Sequence, residues 1–165
     1  MDSNSRVLVV GAGRLGQLAA RVLARTGCDL RVAARHPWQR DLLARQGIAV
    51  VQEGALPVGS MDVVVEAAGS EQGLEQAMAG VRPGGTLVLK SSWHESMPVD
   101  LGRVVVDEIT LVGSRCGPFP KALELLASGE IDPHPLIEAI HPLRSGETAF
   151  ALAAKPGARK ILIKP

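Results

Sequence analysis

The segment RVLVVGAGRLGQLAARVLARTG, residues 6–27, constrains the fold more than any other part of the chain. A strand-like apolar run leads directly into Gly11, Gly13 and Gly16, and a helical pattern follows over 14–26. In a βαβ crossover, the first glycine permits a tight turn, the second lets the backbone approach a pyrophosphate, and the third lets the helix lie close to the strand. The helix N-terminus adds free N–H groups and about half a positive charge. The segment therefore predicts a dinucleotide-binding turn.

Two side chains of the first helical turn belong to this predicted site. Arg14 places a cation at the helix N-terminus, where its electrostatic interaction with the helix dipole is unfavourable. An anion bound beside Arg14 would make the net interaction favourable. An arginine that extends into solvent explains the residue equally well, so both interpretations stay open. Leu15 follows it, and the apolar spacing predicts an inward helix face of Leu15, Leu18, Ala19, Val22 and Leu23.

Strand-like runs alternate with helix-length segments along the rest of the chain, which predicts βαβ units on a parallel sheet with both faces covered. After about residue 130 the sequence becomes rich in proline, and this stretch is predicted as loop. We therefore expect an NAD(P)-binding domain over 1–130 and a tail over 131–165. Strands are predicted at 6–10, 29–34, 48–51, 86–91 and 160–164, with one more strand within 58–69 and one or two within 102–114. The predicted helices are 14–26, 38–47, 71–81, 121–129 and 147–157, and RPGG (82–85) is predicted as a turn.

Composition excludes several classes of function. The net charge of +1 and the small aromatic content, with no Tyr, give no basis for nucleic-acid binding. No apolar run approaches the roughly 20 residues that cross a bilayer. The polar start MDSNSR is unlike a secretion signal, so the expected location is the cytoplasm. Cys28 and Cys116 form no C-x-x-C, and His94-Glu95 has no second ligand at helical spacing, so no zinc is expected and 94–95 is predicted as a polar loop.

The choice of dinucleotide depends on the end of the second strand. NAD-binding folds place an acid there, about 20 residues after the glycine turn, to hold the ribose hydroxyls. Here the expected position falls at Ala34, and Arg35 and Arg40 follow it. Ala34 leaves room for a 2′-phosphate and an arginine can pair with it, which favours NADP. NAD stays open, because both arginines could be ordinary surface charges.

With its second half included, the chain resembles the medium-chain dehydrogenase/reductase family, which includes zinc-type alcohol and polyol dehydrogenases, from about residue 6 to the C-terminus. The resemblance rests on two ordered stretches, DVVVEAAGSEQGLEQAMAGVRPGGTLVLKS and EITLVGSRCGPFPKALELLASGEI. It implies a Rossmann fold, a doubly wound six-stranded parallel sheet with helices on both faces. It also implies dimerisation through an edge strand, and GRVVV (102–106) is the segment similar to that edge.

The resemblance implies where each part of the cofactor lies. Pyrophosphate would lie over the glycine turn and the adenosine ribose near Arg35. A basic residue before the C-terminus would lie near the pyrophosphate, and Arg159 or Lys160 matches it by position. Glu66 is expected to hydrogen-bond at its strand end, with catalytic acid as the alternative. Nicotinamide would lie at the strand ends formed by Ala68, Gly69, Lys90, Ser91, Gly113 and Ser114.

The sequence departs from the family in one large respect. Family members carry an amino-terminal GroES-like domain that supplies zinc ligands and a proton relay, and no counterpart of it is present in these 165 residues. We therefore expect the NAD(P)-binding domain of an oxidoreductase, incomplete as an enzyme by itself, that works with a separate catalytic domain or chain. Two alternatives stay open: a non-catalytic dinucleotide-sensing module, and a zinc-free, quinone-reductase-like NADPH oxidoreductase.

Overall fold

A computed structural model describes residues 3–52, 55–93 and 96–165. The chain divides into two compact units, residues 1–118 and residues 119–165. The predicted polar loop at 94–95 lies outside the described residues. The predicted functional boundary at residue 130 stays a prediction.

The first unit alternates strands and helices as the sequence predicts. Its elements are β1 (Arg6–Val10), α1 (Arg14–Ala24), β2 (Asp29–Ala33), α2 (Pro37–Ala44), β3 (Ala49–Val51), β4 (Met61–Glu66), α3 (Glu71–Gly80), β5 (Val81–Leu89), α4 (Leu101–Val106) and β6 (Thr110–Gly113). The predicted RPGG turn falls within β5, next to a register shift in its pairing with β4.

All six strands are parallel, in the order β3-β2-β1-β4-β5-β6. This confirms the predicted Rossmann sheet. The chain leaves β1 toward one edge and returns at β4 toward the other, so the β1–β4 border is the topological switch point, where open α/β sheets bind ligands.

Both faces of the central strand are buried, which explains why its sequence is continuously apolar. Val7 and Val9 pack into one core cluster with α1 and α2, whereas Leu8 and Val10 pack into a second cluster with α3. All four side chains are at most 1% exposed. The sheet is therefore fixed between two helical layers, and its strand ends are rigid positions for a site.

The inward face of α1 agrees with the predicted one only in part: Leu23 packs against the core, as predicted. Gly16, Gln17, Ala20 and Arg21 are buried, whereas Leu15 and Val22 are 46% and 42% exposed. The reason is the close approach of Gly16 to the glycine turn, which rotates the helix away from its most hydrophobic stripe.

The segment 102–106, predicted as an edge strand, is helical, so that prediction is wrong. Asp100 caps this helix by accepting a hydrogen bond from the Arg103 amide at 3.0 Å, and Arg103 pairs with Asp107 one turn later at 3.1 Å. Local capping outweighs the strand preference of three consecutive valines. The edge of the sheet on this side is β6.

The second unit contains α5 (Phe119–Ala127), β7 (Ile137–Pro142), α6 (Gly146–Ala153) and β8 (Lys160–Lys164), with short 3₁₀ turns at His134–Leu136 and Leu143–Ser145. β7 and β8 pair in parallel as a separate two-stranded sheet. The proline-rich stretch was predicted as loop, and β7 corrects that prediction. Its residues alternate between half-buried and exposed, as expected of a strand with one face covered.

Candidate functional site

A cleft of about 220 Å³ opens at the topological switch point. Its walls come from the end of β1, the glycine turn, the end of β2, the segment after β4, and α3. Five predicted site residues line it, namely Gly11, Gly13, Ala34, Arg35 and Ala68. The cleft therefore brings together two glycines predicted for pyrophosphate, the residues predicted for adenosine ribose at the end of β2, and one residue predicted for nicotinamide, Ala68. The other predicted residues of the glycine turn and α2 do not line it: Arg14, Leu15, Gly16 and Arg40.

The three motif glycines serve different purposes. Gly11 has φ +97, and a Cβ there would lie 2.5 Å from the Ala68 amide nitrogen. A Cβ on Gly16 would collide with the Gly11 carbonyl oxygen. Gly13 differs, because a Cβ on it would meet no atom within 4 Å, although the residue lines the cleft. The fold requires Gly11 and Gly16, whereas Gly13 keeps open a space that a ligand would occupy.

The N-terminus of α1 faces this space with its amides available. Gly13 is the N-cap, no side chain caps the helix, and its first turn contains no acidic residue. The Gln17 amide is already inside the helix, bonding to the Gly13 carbonyl at 2.9 Å. Amides of the first turn at Arg14, Leu15 and Gly16 precede any helical partner, and they suit an anion such as a pyrophosphate.

The end of β2 forms the second wall. Ala34 is 5% exposed and adds no charge, while Arg35 lines the cleft beside it. The Arg40 guanidinium donates to the Arg35 carbonyl oxygen at 2.8 Å, and Arg40 is not among the lining residues. Arg40 therefore holds the backbone of Arg35, and its direct contact with a phosphate stays a prediction.

Sequence reasoning missed several polar residues of the cleft. His36, Gln39, Gln72 and Gln76 line it. Gln39 is 7% exposed, and its Oε1 accepts from the His36 amide at 3.1 Å. The fully buried Gln17 of α1 donates to the Gln39 carbonyl at 3.0 Å, which ties α1 to α2. A polar residue on a helix reveals neither its partner nor its burial, so the sequence carries no signal for these glutamines.

The carboxyl ends of β4, β5 and β6 carry the residues predicted for nicotinamide. Lys90 Nζ donates to Ser114 Oγ and to the Arg115 carbonyl, both at 3.3 Å. The Ser114 amide donates to the Leu89 carbonyl at 3.0 Å, which fixes the residue after Gly113 against β5. The Ser91 hydroxyl bonds to Glu66 Oε1 at 3.1 Å. Of the residues predicted for nicotinamide, Ala68 lines the cleft, and the others do not: Gly69, Lys90, Ser91, Gly113 and Ser114. Their contact with nicotinamide stays a prediction.

Glu66 hydrogen-bonds at the end of its strand, as the sequence predicts. It is fully buried, and its Oε1 accepts from the amides of Ala68 at 2.7 Å and Gly69 at 2.8 Å. These two amides are consequently unavailable to a bound phosphate.

Arg159 lies in the second unit. Its amide donates to Glu138 Oε2 at 2.7 Å, and its Nη1 donates to the Pro135 carbonyl at 3.3 Å. Its predicted role near the pyrophosphate stays a prediction.

The other end of the sheet carries an ion-pair network. Asp62 accepts from Arg6 at 2.8–3.3 Å and from Arg82 Nε at 2.6 Å. These hydrogen bonds, from Arg6 first and then Arg82, hold the pKa of Asp62 well below its ordinary value. The network joins the amino ends of β1, β4 and β5, away from the cleft.

The distribution of possible metal ligands and the length of the helices bear on metal and membrane binding. Across 3–52, 55–93 and 96–165, no three His, Cys, Asp or Glu side chains are grouped as a metal site requires. The described side chains therefore offer no three-ligand set for a zinc ion, and the expected absence of zinc stays a prediction. Within the same ranges, no helix has the length and apolar character that a bilayer span needs.

Known proteins share this sequence pattern and this fold. The profile of the family described as zinc-binding dehydrogenase matches residues 15–128. The chain is 28% identical to a 2-dehydro-3-deoxy-L-galactonate 5-dehydrogenase of Pseudoalteromonas atlantica, covering 99% of this chain and 52% of the relative. It is 27% identical to mouse sorbitol dehydrogenase, covering 97% and 49%. The chain thus spans about half the length of these relatives.

Solved structures give the same result for the fold. A zinc-binding dehydrogenase from Sinorhizobium meliloti bound to NADP superposes with a TM-score of 0.87 at 24% identity, covering 99% of this chain and 53% of that one. L-idonate 5-dehydrogenase from Escherichia coli superposes with a TM-score of 0.86 at 23% identity, covering 98% and 51%. The family profile matches more than half of the residues of this chain. The chain therefore belongs to the zinc-binding dehydrogenase family, in the medium-chain dehydrogenase/reductase group, and carries that family's NAD(P)-binding fold.

Proposed function

We propose that this chain binds NADP(H) in the switch-point cleft and positions its nicotinamide for hydride transfer. The observation that carries the proposal is Gly13: it lines the cleft beside the uncapped N-terminus of α1, and no protein atom fills the space beside it. A bound pyrophosphate explains both the missing side chain and the missing cap.

The cleft supports a definite orientation of the cofactor. The pyrophosphate would receive amides of the first turn of α1. The adenosine would lie toward β2, beside Arg35 and His36, because these residues line the cleft where that strand ends. The nicotinamide would then lie across the switch point, toward the ends of β4 and β5, where bound NADP(H) supplies the hydride chemistry and the protein supplies position.

The preference for NADP over NAD rests on Ala34 and Arg35. No carboxylate stands at the end of β2 to repel a 2′-phosphate, and Arg35 lines the cleft there. Arg40 supports it by holding its carbonyl. The charge-assisted hydrogen bonds of a guanidinium with a phosphate favour the 2′-phosphorylated cofactor.

The substrate site would require another domain or chain. The matched relatives are about twice as long as this chain. The second unit exposes large apolar side chains, with Ile140 at 60%, Leu143 at 66% and Phe150 at 73%. We propose these residues as the surface that contacts a catalytic domain. Several matched proteins are named for reactions on polyols or sugar acids, and a polyhydroxylated alcohol is the corresponding substrate class for this chain.

A homodimer is proposed through the β6 edge. β6 is the outermost strand on its side of the sheet, and Val112 within it is 39% exposed. In α4, Val105 and Val106 are 76% and 82% exposed. An open strand edge beside exposed valines suits pairing with a second copy. A cytoplasmic location stays a prediction of the sequence.

The test is a fluorescence titration of the purified chain with NADPH and with NADH, with zinc measured on the same sample. We expect NADPH to bind more tightly. Binding of neither cofactor would contradict the proposal, and NADH binding at least about tenfold tighter would overturn the role given to Arg35. Addition of candidate catalytic domains then separates the functions: restored dehydrogenase activity supports the proposal, and NADPH-controlled assembly without activity indicates a sensing module. Quinone reduction by the chain alone would indicate the quinone-reductase-like alternative.

A further inference from the structure

Glu66 is the buried carboxylate at the carboxyl end of β4, and it makes three hydrogen bonds through one oxygen. Its Oε1 accepts from the amides of Ala68 and Gly69 and from the Ser91 hydroxyl, at 2.7, 2.8 and 3.1 Å. Its Oε2 is buried and has no partner within the described ranges. Two of these bonds therefore hold the segment that follows β4, at the switch point, and the third holds the segment that follows the neighbouring strand β5.

These bonds connect the glycine turn to the end of β5. The Ala68 amide that Glu66 holds lies where a Cβ on Gly11 would approach within 2.5 Å, so the two turns are packed against each other. On the other side, a Cβ on Gly69 would lie 3.7 Å from Ser91 Oγ. A continuous path of contacts thus runs from Gly11 through the turn at 67–69 to Ser91.

The hydrogen-bonding state of Ser91 follows from this arrangement. Oε1 of Glu66 already receives two amide protons, and a proton on this carboxyl group would sit on Oε2, so Oε1 can only accept. The Ser91 hydroxyl must therefore donate to Oε1, and its oxygen lone pairs remain for a donor from elsewhere. Glu66 makes Ser91 an acceptor.

We propose that Glu66 is a positioning residue that presents Ser91 as the acceptor for the carboxamide NH₂ group of the bound nicotinamide. The inference rests on the proposed function, because it requires the dinucleotide to cross the switch point from β2 toward β4 and β5. The carboxamide is the group on the nicotinamide ring that donates hydrogen bonds, and an acceptor with a fixed orientation at the end of β5 selects it.

The test compares NADP⁺ with its 3-acetylpyridine analogue, in which a methyl group replaces the amide nitrogen and removes the donor. Dissociation constants are measured by calorimetry, and circular dichroism confirms that each variant is folded at the working temperature. The wild-type chain should prefer NADP⁺ by about tenfold, the size expected for one well-placed hydrogen bond in a partly buried site.

Substitutions should remove this preference selectively. Ser91→Ala and Glu66→Leu should each bring the two ligands within about twofold of each other, the first by removing the acceptor and the second by releasing its orientation. Glu66→Gln keeps an amide oxygen that can accept the same bonds, so it should retain the preference. The matched controls are Ser92→Ala, next to Ser91 and exposed, and Val64→Ala, a core substitution in the same strand. Both controls should discriminate as the wild type does.

Each outcome bears on one proposal or the other. Equal binding of the two ligands by the wild-type chain, or a Ser91→Ala variant that still discriminates, would overturn the positioning role while leaving NADP binding intact. Loss of discrimination in Val64→Ala would also overturn it, since any disturbance of β4 would then suffice. A wild-type chain that binds neither ligand overturns the proposed function, and this inference with it.

Discussion

At the amino end of the sheet Asp62 accepts hydrogen bonds from two arginines, whereas at the carboxyl end no side chain caps the first turn of α1. The polar groups at the first end are satisfied within the protein, and their effect is on stability. The amides of the first turn of α1, at the second end, can donate to an acceptor on a ligand, so their effect is on binding. Backbone donors that have no partner within the protein therefore indicate a binding site better than a network of side chains that satisfy one another.

The largest expected effect is that of Gly16→Ala, which tests whether this glycine serves the fold as well as the ligand. Its new Cβ would collide with the Gly11 carbonyl oxygen, so the helix must move away from the turn. We expect a loss of about 2–4 kcal/mol in the free energy of unfolding, together with loss of NADPH binding. Urea denaturation measures the first quantity. Unchanged stability would show that α1 does not pack as closely as described.

Arg35→Ala tests the cofactor preference at the carboxyl end. Loss of a guanidinium–phosphate contact should weaken NADPH binding by about tenfold, equivalent to about 1.4 kcal/mol, and NADH binding by less than about twofold. Parallel titrations with the two cofactors measure both. If the affinities for NADPH and NADH fall equally, Arg35 attracts both negatively charged cofactors and does not distinguish the 2′-phosphate.

Asp62→Asn tests the amino end. Asp62 is 24% exposed, so solvent screening reduces the value of its pairs, and we expect a loss of about 1 kcal/mol in the free energy of unfolding. NADPH affinity should not change. A reduced affinity in a fully folded variant would contradict the separation of the two ends.

The pH dependence of the same pair of proteins sharpens this test. The pKa of Asp62 is lower in the folded chain than its ordinary value, because Arg6 and Arg82 stabilise the carboxylate. Its contribution is therefore fully present above the unfolded value of about 3.9 and is lost as pH falls toward the folded value. The difference in stability between wild type and Asp62→Asn should shrink at acidic pH. A constant difference would mean that the charge is not the cause.

Arg40→Ala should have the smallest effect. The Arg40 guanidinium holds the Arg35 carbonyl and does not line the cleft, so its removal should weaken NADPH binding by only about two- to threefold. A loss as large as that of Arg35→Ala would indicate that Arg40 reaches the phosphate directly.

Much of the fold could be predicted from the sequence because local and long-range signals agree there. The glycine spacing, the doubly buried strand VLVV and the alternation of strands and helices all point to a parallel sheet. The prediction failed for 102–106, where a side-chain cap at Asp100 decided against the strand preference of the valines. The prediction also failed for β7. Its proline-rich sequence indicates a loop, and the strand is formed by pairing with β8, which lies about 20 residues further along the chain.

The site was predictable to the extent that backbone geometry imposes it. Gly11, Gly13 and Ala34 follow from the turn and from the end of β2, and all three line the cleft. The glutamines of the cleft could not be predicted, because a polar residue on a helix reveals neither its partner nor its burial. The close approach of Gly16 turned the polar Gln17 inward, against the hydrophobic pattern of α1.

The most direct test of the central claim is the dissociation constant of NADPH for Gly13→Ala, measured beside its free energy of unfolding. Gly13 has φ −67, which any residue adopts, and no protein atom lies within 4 Å of the new Cβ. We expect the free energy of unfolding to fall by no more than about 1 kcal/mol, because alanine is a poorer N-cap than glycine, while NADPH binding weakens by at least about tenfold. The matched control is Gly146→Ala, where a Cβ also meets nothing within 4 Å and which lies outside the cleft lining. It should leave NADPH binding unchanged and, as a glycine replaced within a helix, stabilise the chain by at most about 1 kcal/mol. Undiminished NADPH binding by a folded Gly13→Ala chain would contradict the account.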